Sequence, residues 1–150
     1  MRAVIQRVSH AAVVVNGEEI SSIGAGLLIF LGVELVDDAM DVDWLAGKIA
    51  HLRIFADADD KMNCDVNALG GEMLVISQFT LHASTHKGNR PSFLRSARPQ
   101  HAEPLYEMFC ETLFRVSGRP VKRGIFGADM KVSLCNDGPV TIIMDSRSKE

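Results

Sequence analysis

The stretch Lys131-Val132-Ser133-Leu134-Cys135, Asn136-Asp137-Gly138-Pro139, Val140-Thr141-Ile142-Ile143-Met144 sets a Gly-Pro between two runs rich in β-branched and apolar residues. Each run suits a pleated, half-buried surface. Proline has no N–H for a strand ladder, and the glycine before it adopts backbone angles closed to other residues. Pairing is therefore interrupted here and carbonyl oxygens are left unclaimed. An X-Pro bond is also the one place where a cis peptide is cheap, about 0.5–1 kcal/mol above trans, and the residues leave the isomer open. On residue types alone an ordinary turn between two strands is the simpler reading.

Strand patterns recur along the chain. Arg2 to Ser9 alternates, with Ala3, Ile5 and Arg7 on one face and Val4, Gln6 and Val8 on the other. Arg7 thus points with an apolar set; its five-donor fork suits pinning carbonyls of a neighbouring loop, or it reaches solvent at a strand end. Val13 to Val15, Asn16-Gly17 and Glu18 to Ile23 form a hairpin, because Asn-Gly fills the two positive-φ positions of a type I′ turn. Gly26 to Val33 is a continuous apolar run, as in a strand covered on both faces. From Asp37 to Leu52 the period changes to that of a helix, with Val42, Leu45, Ala46, Ile49 and Leu52 in its stripe. Arg53 to Ala56 returns to strand before the turn Asp57-Ala58-Asp59-Asp60, where Lys61 and Met62 occupy positions a calcium loop needs for a ligand and a glycine.

Glu72 to Leu81 alternates again, carrying Leu74, Ile76, Gln78 and Thr80 on one face and Met73, Val75, Ser77, Phe79 and Leu81 on the other. Pro99 to Ser117 is a second long helix with Leu105, Met108, Phe109, Leu113 and Val116 inward and Gly118 ending it. Val121 to Phe126 and the turn Gly127-Ala128-Asp129 precede the two final strands. The pattern predicts one α/β domain over 1–150, a strongly twisted mixed sheet with two long helices on one side.

Composition narrows the function. With 150 residues, 47% of them hydrophobic, the chain furnishes a core without disulfides. Cys64, Cys110 and Cys135 are odd in number and fall in or beside apolar patterns, as buried free thiols do in a reducing cytoplasm. The N-terminus lacks a signal-peptide core, and the longest apolar run is too short to span a bilayer. A net charge of −3 argues against coating nucleic acid. Even so, His82 to Gln100 contains no acid and holds Lys87, Arg90, Arg95 and Arg98, either a solvated loop or a patch for a few phosphates.

No serine elbow, phosphate loop, Cys-x-x-Cys pair or dinucleotide fingerprint is present. His82 and His86 have the i, i+4 spacing of a zinc helix, but Gly88 and Pro91 argue for a loop, so no metal is predicted. What remains is a polar strand end at Ser77, Gln78 and Thr80, the Gly-Pro turn and the basic loop. Thr80 is a candidate nucleophile with His82 as its base. Alternatively, amides around Phe79 donate to a developing oxyanion and the substrate brings its own hydroxyl.

Five segments resemble the D-aminoacyl-tRNA deacylase family: Met1-Arg2-Ala3-Val4-Ile5-Gln6-Arg7-Val8, Ser77-Gln78-Phe79-Thr80-Leu81, Lys87-Gly88-Asn89-Arg90-Pro91-Ser92-Phe93, Gly124-Ile125-Phe126-Gly127-Ala128-Asp129-Met130 and Asn136-Asp137-Gly138-Pro139-Val140-Thr141. The resemblance spans essentially the whole chain. It implies a barrel-like sheet and a cytoplasmic homodimer with active sites at the interface. It further implies a cis Gly138-Pro139 that enters the partner's pocket beside Ser77, Gln78, Phe79 and Thr80. Arg7, Phe126 and Met130 then serve substrate binding and chiral selection, and Lys87 and Arg90 serve the tRNA. The implied activity is hydrolysis of the ester between a D-amino acid, or glycine, and the 3′-terminal adenosine, with no cofactor. A relative with relaxed chirality and a non-catalytic RNA-end binding module are the rival readings.

Overall fold

A computed structural model describes residues 1–149. In chain order the elements are β1 (Arg2–Val15), β2 (Glu18–Ile23), β3 (Gly26–Gly32), α1 (Ala39–Ala50), β4 (Phe55–Ala56), β5 (Met62–Cys64), α2 (Val66–Leu69), β6 (Glu72–Ser77), α3 (Pro99–Ser117), β7 (Val121–Arg123) and β8 (Lys131–Asp145). A 3₁₀ turn, Phe79–His82, follows β6.

The sheet is organised around β1. Its second half pairs antiparallel with β2 through the Asn16-Gly17 turn, where φ is +51° and +83° as a type I′ turn requires. Its first half pairs antiparallel with β3. β6 and then β7 add parallel to β3, and β8 runs antiparallel along nearly the whole of β1. Ser21 Oγ donates to the Arg123 carbonyl at 2.8 Å and Lys122 Nζ to the Ser22 carbonyl at 2.6 Å. These bonds draw β2 against β7, so the twisted sheet nearly closes into a barrel.

β3 is buried on both faces, as its uninterrupted apolar run predicts. Leu27, Ile29 and Leu31 meet the helices, while Leu28 faces the barrel interior with Leu74 and Ile76. α1 and α3 pack together on the outer face, and Val42, Leu45, Ala46 and Ile49 are fully buried. Asp38 caps α1 in a reciprocal box with Asp41, a device worth about 1 kcal/mol. α3 ends at Gly118, in the left-handed region at φ +65°.

Val4, Gln6 and Val8 share one face, as the alternation predicts: β1 pairs β3 in unbroken register from Arg2 to Val8, and Leu28, opposite Gln6, lies with Val8 in the barrel interior. Beyond Val8 the register against β8 slips by one residue, which exchanges the two faces of a strand and brings Ala11, Val13 and Val15 into that interior. Several expectations need correction. Met108 is exposed on α3, where Tyr106 and Cys110 take the inward positions instead. Cys110 is buried, and burial pushes its thiol up to about 12. Cys135, expected to be buried, is exposed. The strands expected at Arg53 to Ala56 and Val121 to Phe126 contract to β4 and β7.

The Gly-Pro segment departs most from a turn between two strands. Both halves belong to one strand, because β1 is long enough to pair with each in the same direction. Val8 pairs with Asn136 and Gln6 with Thr141. Asp137, Gly138, Pro139 and Val140 therefore bulge out opposite the single residue Arg7. The Gly138-Pro139 bond is cis, and Gly138 has φ +131°.

Candidate functional site

Two features predicted to carry chemistry lie in different places. The first is the Gly-Pro bulge. Arg7 Nε donates to the Asp137 carbonyl at 2.8 Å and Nη1 to the Ile54 carbonyl at 2.6 Å. The pinning role is thus the one Arg7 adopts: one planar fork ties the bulge to the segment after α1. The residues from Asn136 to Pro139 are exposed.

The second feature is the end of β6. Pairing stops at Leu31–Ser77, and Gln78 N–H makes a last bond to the Leu31 carbonyl at 2.8 Å. The strand expected to continue to Leu81 instead tightens into the 3₁₀ turn, because β3 also ends here. The turn packs against bare backbone at Gly32, where an added Cβ would lie 2.9 Å from the Gln78 carbonyl oxygen and 3.1 Å from the His82 ring. In a 3₁₀ turn the first N–H groups, here of Phe79 and Thr80, have no acceptor within the turn.

Beside this turn opens a cleft of about 620 Å³. Ser77, Gln78, Phe79, Phe126 and Met130 line it, so five of the predicted site residues converge. Thr80 adjoins through its side chain, whose Oγ1 accepts from Gln78 Nε2 at 2.6 Å. Arg7, Gly138 and Pro139 do not line the cleft. Lys87 and Arg90 sit exposed in a loop closed by paired Ser84–Ser92 backbone bonds. Arg95 is engaged, with Nε 2.5 Å from Glu34 Oε1.

Three cleft residues escaped sequence reasoning. Phe93 stacks edge-on to Phe79 with ring centroids 5.1 Å apart, and Ser96 Oγ donates to the Phe79 carbonyl at 2.8 Å. Tyr106 donates to the Val75 carbonyl at 2.9 Å. Tyr106 is not among the predicted inward residues of α3, and nothing in the periodicity says that the start of α3 forms a cleft wall.

His82 is not placed to serve Thr80. Its side chain is wholly buried beneath the turn, with Nδ1 4.0 Å from Glu34 Oε2. Neither ring nitrogen has a hydrogen-bond partner among the described residues, although the Gly32 backbone lies alongside. Burial lowers its pKa, opposed by Glu34 and reinforced by the amino terminus and Arg2. An unfolded histidine titrates near 6.5, so below that pH the unfolded chain binds a proton that the fold resists. Stability should therefore fall as pH drops from about 6.5 toward the lowered pKa, and be unaffected by this group above about 6.5. Thermal unfolding of wild type and His82→Gln between pH 5 and 8 checks this, the variant showing the flatter slope. Asp65 and Glu72, held low chiefly by N–H bonds from Ala68 and Gly24, lose their stabilisation only below the ordinary carboxylate range.

Comparison with known proteins gives this geometry a class. The D-Tyr-tRNA(Tyr) deacylase family profile matches residues 4–145. Proteins called D-aminoacyl-tRNA deacylase from Akkermansia muciniphila, Bacteroides thetaiotaomicron and Flavobacterium johnsoniae are 59%, 57% and 54% identical over 150 residues, covering 100% of each chain. A solved structure described as c-Myc DNA Unwinding Element Binding Protein superimposes with a TM-score of 0.91 at 40% identity, over 97% of this chain and 98% of that one. Another, described as a probable eukaryotic D-amino acid tRNA deacylase, shares the fold with a TM-score of 0.82 at 17% identity, over 95% and 97% of the two chains. The chain is a hydrolase of the tRNA-deacylase class. It belongs to the D-aminoacyl-tRNA deacylase family.

Proposed function

We propose that the chain hydrolyses the ester joining a D-amino acid, or glycine, to the 3′-terminal adenosine of tRNA, releasing free amino acid and tRNA in the cytoplasm. The observation that carries this reading, beside family membership, is the cleft at Ser77, Gln78 and Phe79. Two N–H groups of the turn have no acceptor within it, and among the described residues no side-chain base stands beside Thr80. Backbone donors of this kind suit a carbonyl oxygen that gains charge.

Chiral selection is assigned to the Gly138-Pro139 bulge of a second copy. The bulge is exposed, anchored by Arg7 and absent from its own chain's cleft, which favours a homodimer with the site at the interface. Carbonyls of the bulge fix the substrate ammonium. The two remaining directions at the α-carbon then become inequivalent, one open to solvent and the other closed by backbone, so that an L side chain is refused by repulsion. Glycine passes, and a D side chain of any kind points outward. Phe126 and Met130 form the opposite wall.

Following ester loss from D-tyrosyl-, L-tyrosyl- and glycyl-tRNA tests the proposal. D-tyrosyl- and glycyl-tRNA should be cleaved and L-tyrosyl-tRNA spared. Turnover no faster than buffer would leave only RNA-end binding, and equal cleavage of both enantiomers would remove the chiral filter.

The exposed Lys87 and Arg90 are assigned to tRNA phosphates. Each lost phosphate contact removes about 0.7–0.9 from the slope of log affinity against log salt. Lys87→Ala with Arg90→Ala should therefore weaken tRNA binding and flatten that slope by about 1.5. A salt titration with an unchanged slope would reduce the loop to a solvated one.

A further inference from the structure

We infer that Phe93–Ser96 is a positioning strap for the site turn, with Ser96 setting the peptide between Phe79 and Thr80. The inference rests on the proposed hydrolysis at that turn. The strap is pinned at its centre. Glu34 is a buried carboxylate, which needs a paired cation to remain there, and Arg95 supplies one at 2.5 Å. The Leu35 N–H bonds the Arg95 carbonyl at 3.1 Å, and the Ala97 N–H bonds the Val33 carbonyl at 3.0 Å. The strap is thereby fixed to the chain leaving β3.

On either side of that pin the strap grips Phe79 twice. The Phe93 ring meets the Phe79 ring, and Ser96 Oγ donates to the Phe79 carbonyl. Phe79 is itself 56% exposed, so these contacts limit a residue that the core does not hold. The chemistry of the Ser96 bond is directional. The carbonyl it engages belongs to the same peptide unit as the Thr80 N–H, and a donor on the oxygen polarises that unit and makes the N–H a stronger donor. Ser96 therefore acts on the orientation and the strength of an amide beside the cleft without touching substrate.

Ser96→Ala should lower the single-turnover deacylation rate at saturating enzyme by roughly tenfold, near the most one ordinary hydrogen bond supplies. The enzyme concentration at half-saturation should stay the same. Ser96→Thr, which keeps the hydroxyl, should restore the rate. Phe93→Leu, which loosens the other grip, should act in the same direction should Ser96→Ala fold poorly. In the free protein, hydrogen exchange at Leu81 and Ala83, whose N–H groups close the turn, should quicken in Ser96→Ala while exchange in β3 stays unchanged. An undiminished rate in folded Ser96→Ala overturns the inference, as does failure of Ser96→Thr to restore it. If wild type cleaves no D-aminoacyl-tRNA, the proposed hydrolysis falls and exchange alone decides the strap: faster exchange at Leu81 and Ala83 supports it, and unaltered exchange overturns it.

Discussion

Gly138→Ala is expected to lose about a hundredfold or more of the deacylation rate, the scale of a misplacement near 1 Å, while remaining folded. At φ +131° an added Cβ would lie 3.0 Å from Arg7 Nη2, 3.0 Å from Val140 Cγ2 and 3.1 Å from the Val140 nitrogen. The Arg7 fork can yield, but the backbone angle is one that L side chains rarely adopt, and strain of this kind costs about 1–3 kcal/mol. Gly138 and Pro139 are exposed and outside both apolar clusters, and of the bulge only Val140 packs against the core, so that cost appears as a melting temperature several degrees lower rather than as unfolding. Arg7→Ala should act in the same direction, leaving the carbonyls of Asp137 and Ile54 without their shared donor.

Complementation separates a site completed in trans from one within a single chain. Phe79→Pro removes the Phe79 N–H at the first position of the 3₁₀ turn, where proline is tolerated because no bond within the turn is lost. On the proposed homodimer, co-refolded Gly138→Ala and Phe79→Pro chains would give mixed dimers with one site intact in both its bulge and its turn. Activity well above either variant alone is the expected reading. No gain, with mixed dimers verified by mass, would place the bulge outside the site.

What the sequence discloses of this fold follows how locally each element is determined. The Asn16-Gly17 hairpin, the α1 stripe and the Pro99 to Gly118 helix rest on residues within a few positions of one another, and each stands where its pattern predicts. Failures occur where a distant partner decides. β6 stops at Ser77 because β3 ends at Gly32, which alternation between Glu72 and Leu81 does not encode. The two halves of β8 form one strand because β1 continues unbroken past both. The site divides in the same way. Ser77, Gln78, Phe79, Phe126 and Met130 stood in motifs and converge in one cleft, whereas Ser96 and Tyr106 reach it through a loop and a helix whose contacts no periodicity reveals. His82 shared a predicted face with Thr80 only on the assumption of a strand; in a 3₁₀ turn that relation is lost and the ring goes inward.

A substrate lacking the 2′-hydroxyl of its terminal adenosine should be nearly inert, whereas Thr80→Ala should keep its rate to within about tenfold, the range of one lost hydrogen bond. A threonine hydroxyl is a weak nucleophile near neutral pH unless a base takes its proton. The partner found at Thr80 Oγ1 is the Gln78 amide, a donor, and His82 is buried away from it toward Glu34. The terminal adenosine, by contrast, carries a 2′-hydroxyl adjacent to the esterified 3′ oxygen and held there by covalent structure. Placement of that kind lowers a barrier by about 7–11 kcal/mol in favourable cases, far more than a baseless hydroxyl contributes. The protein then needs to hold the ammonium, aim amides of the turn at the carbonyl oxygen and close one face of the α-carbon. Comparing 2′-hydroxyl and 2′-deoxy termini on the same D-tyrosyl-tRNA, with wild type and Thr80→Ala, distinguishes the two routes. A folded but dead Thr80→Ala, or a threonyl ester trapped in a quenched reaction, would make Thr80 the nucleophile and end the substrate-assisted mechanism.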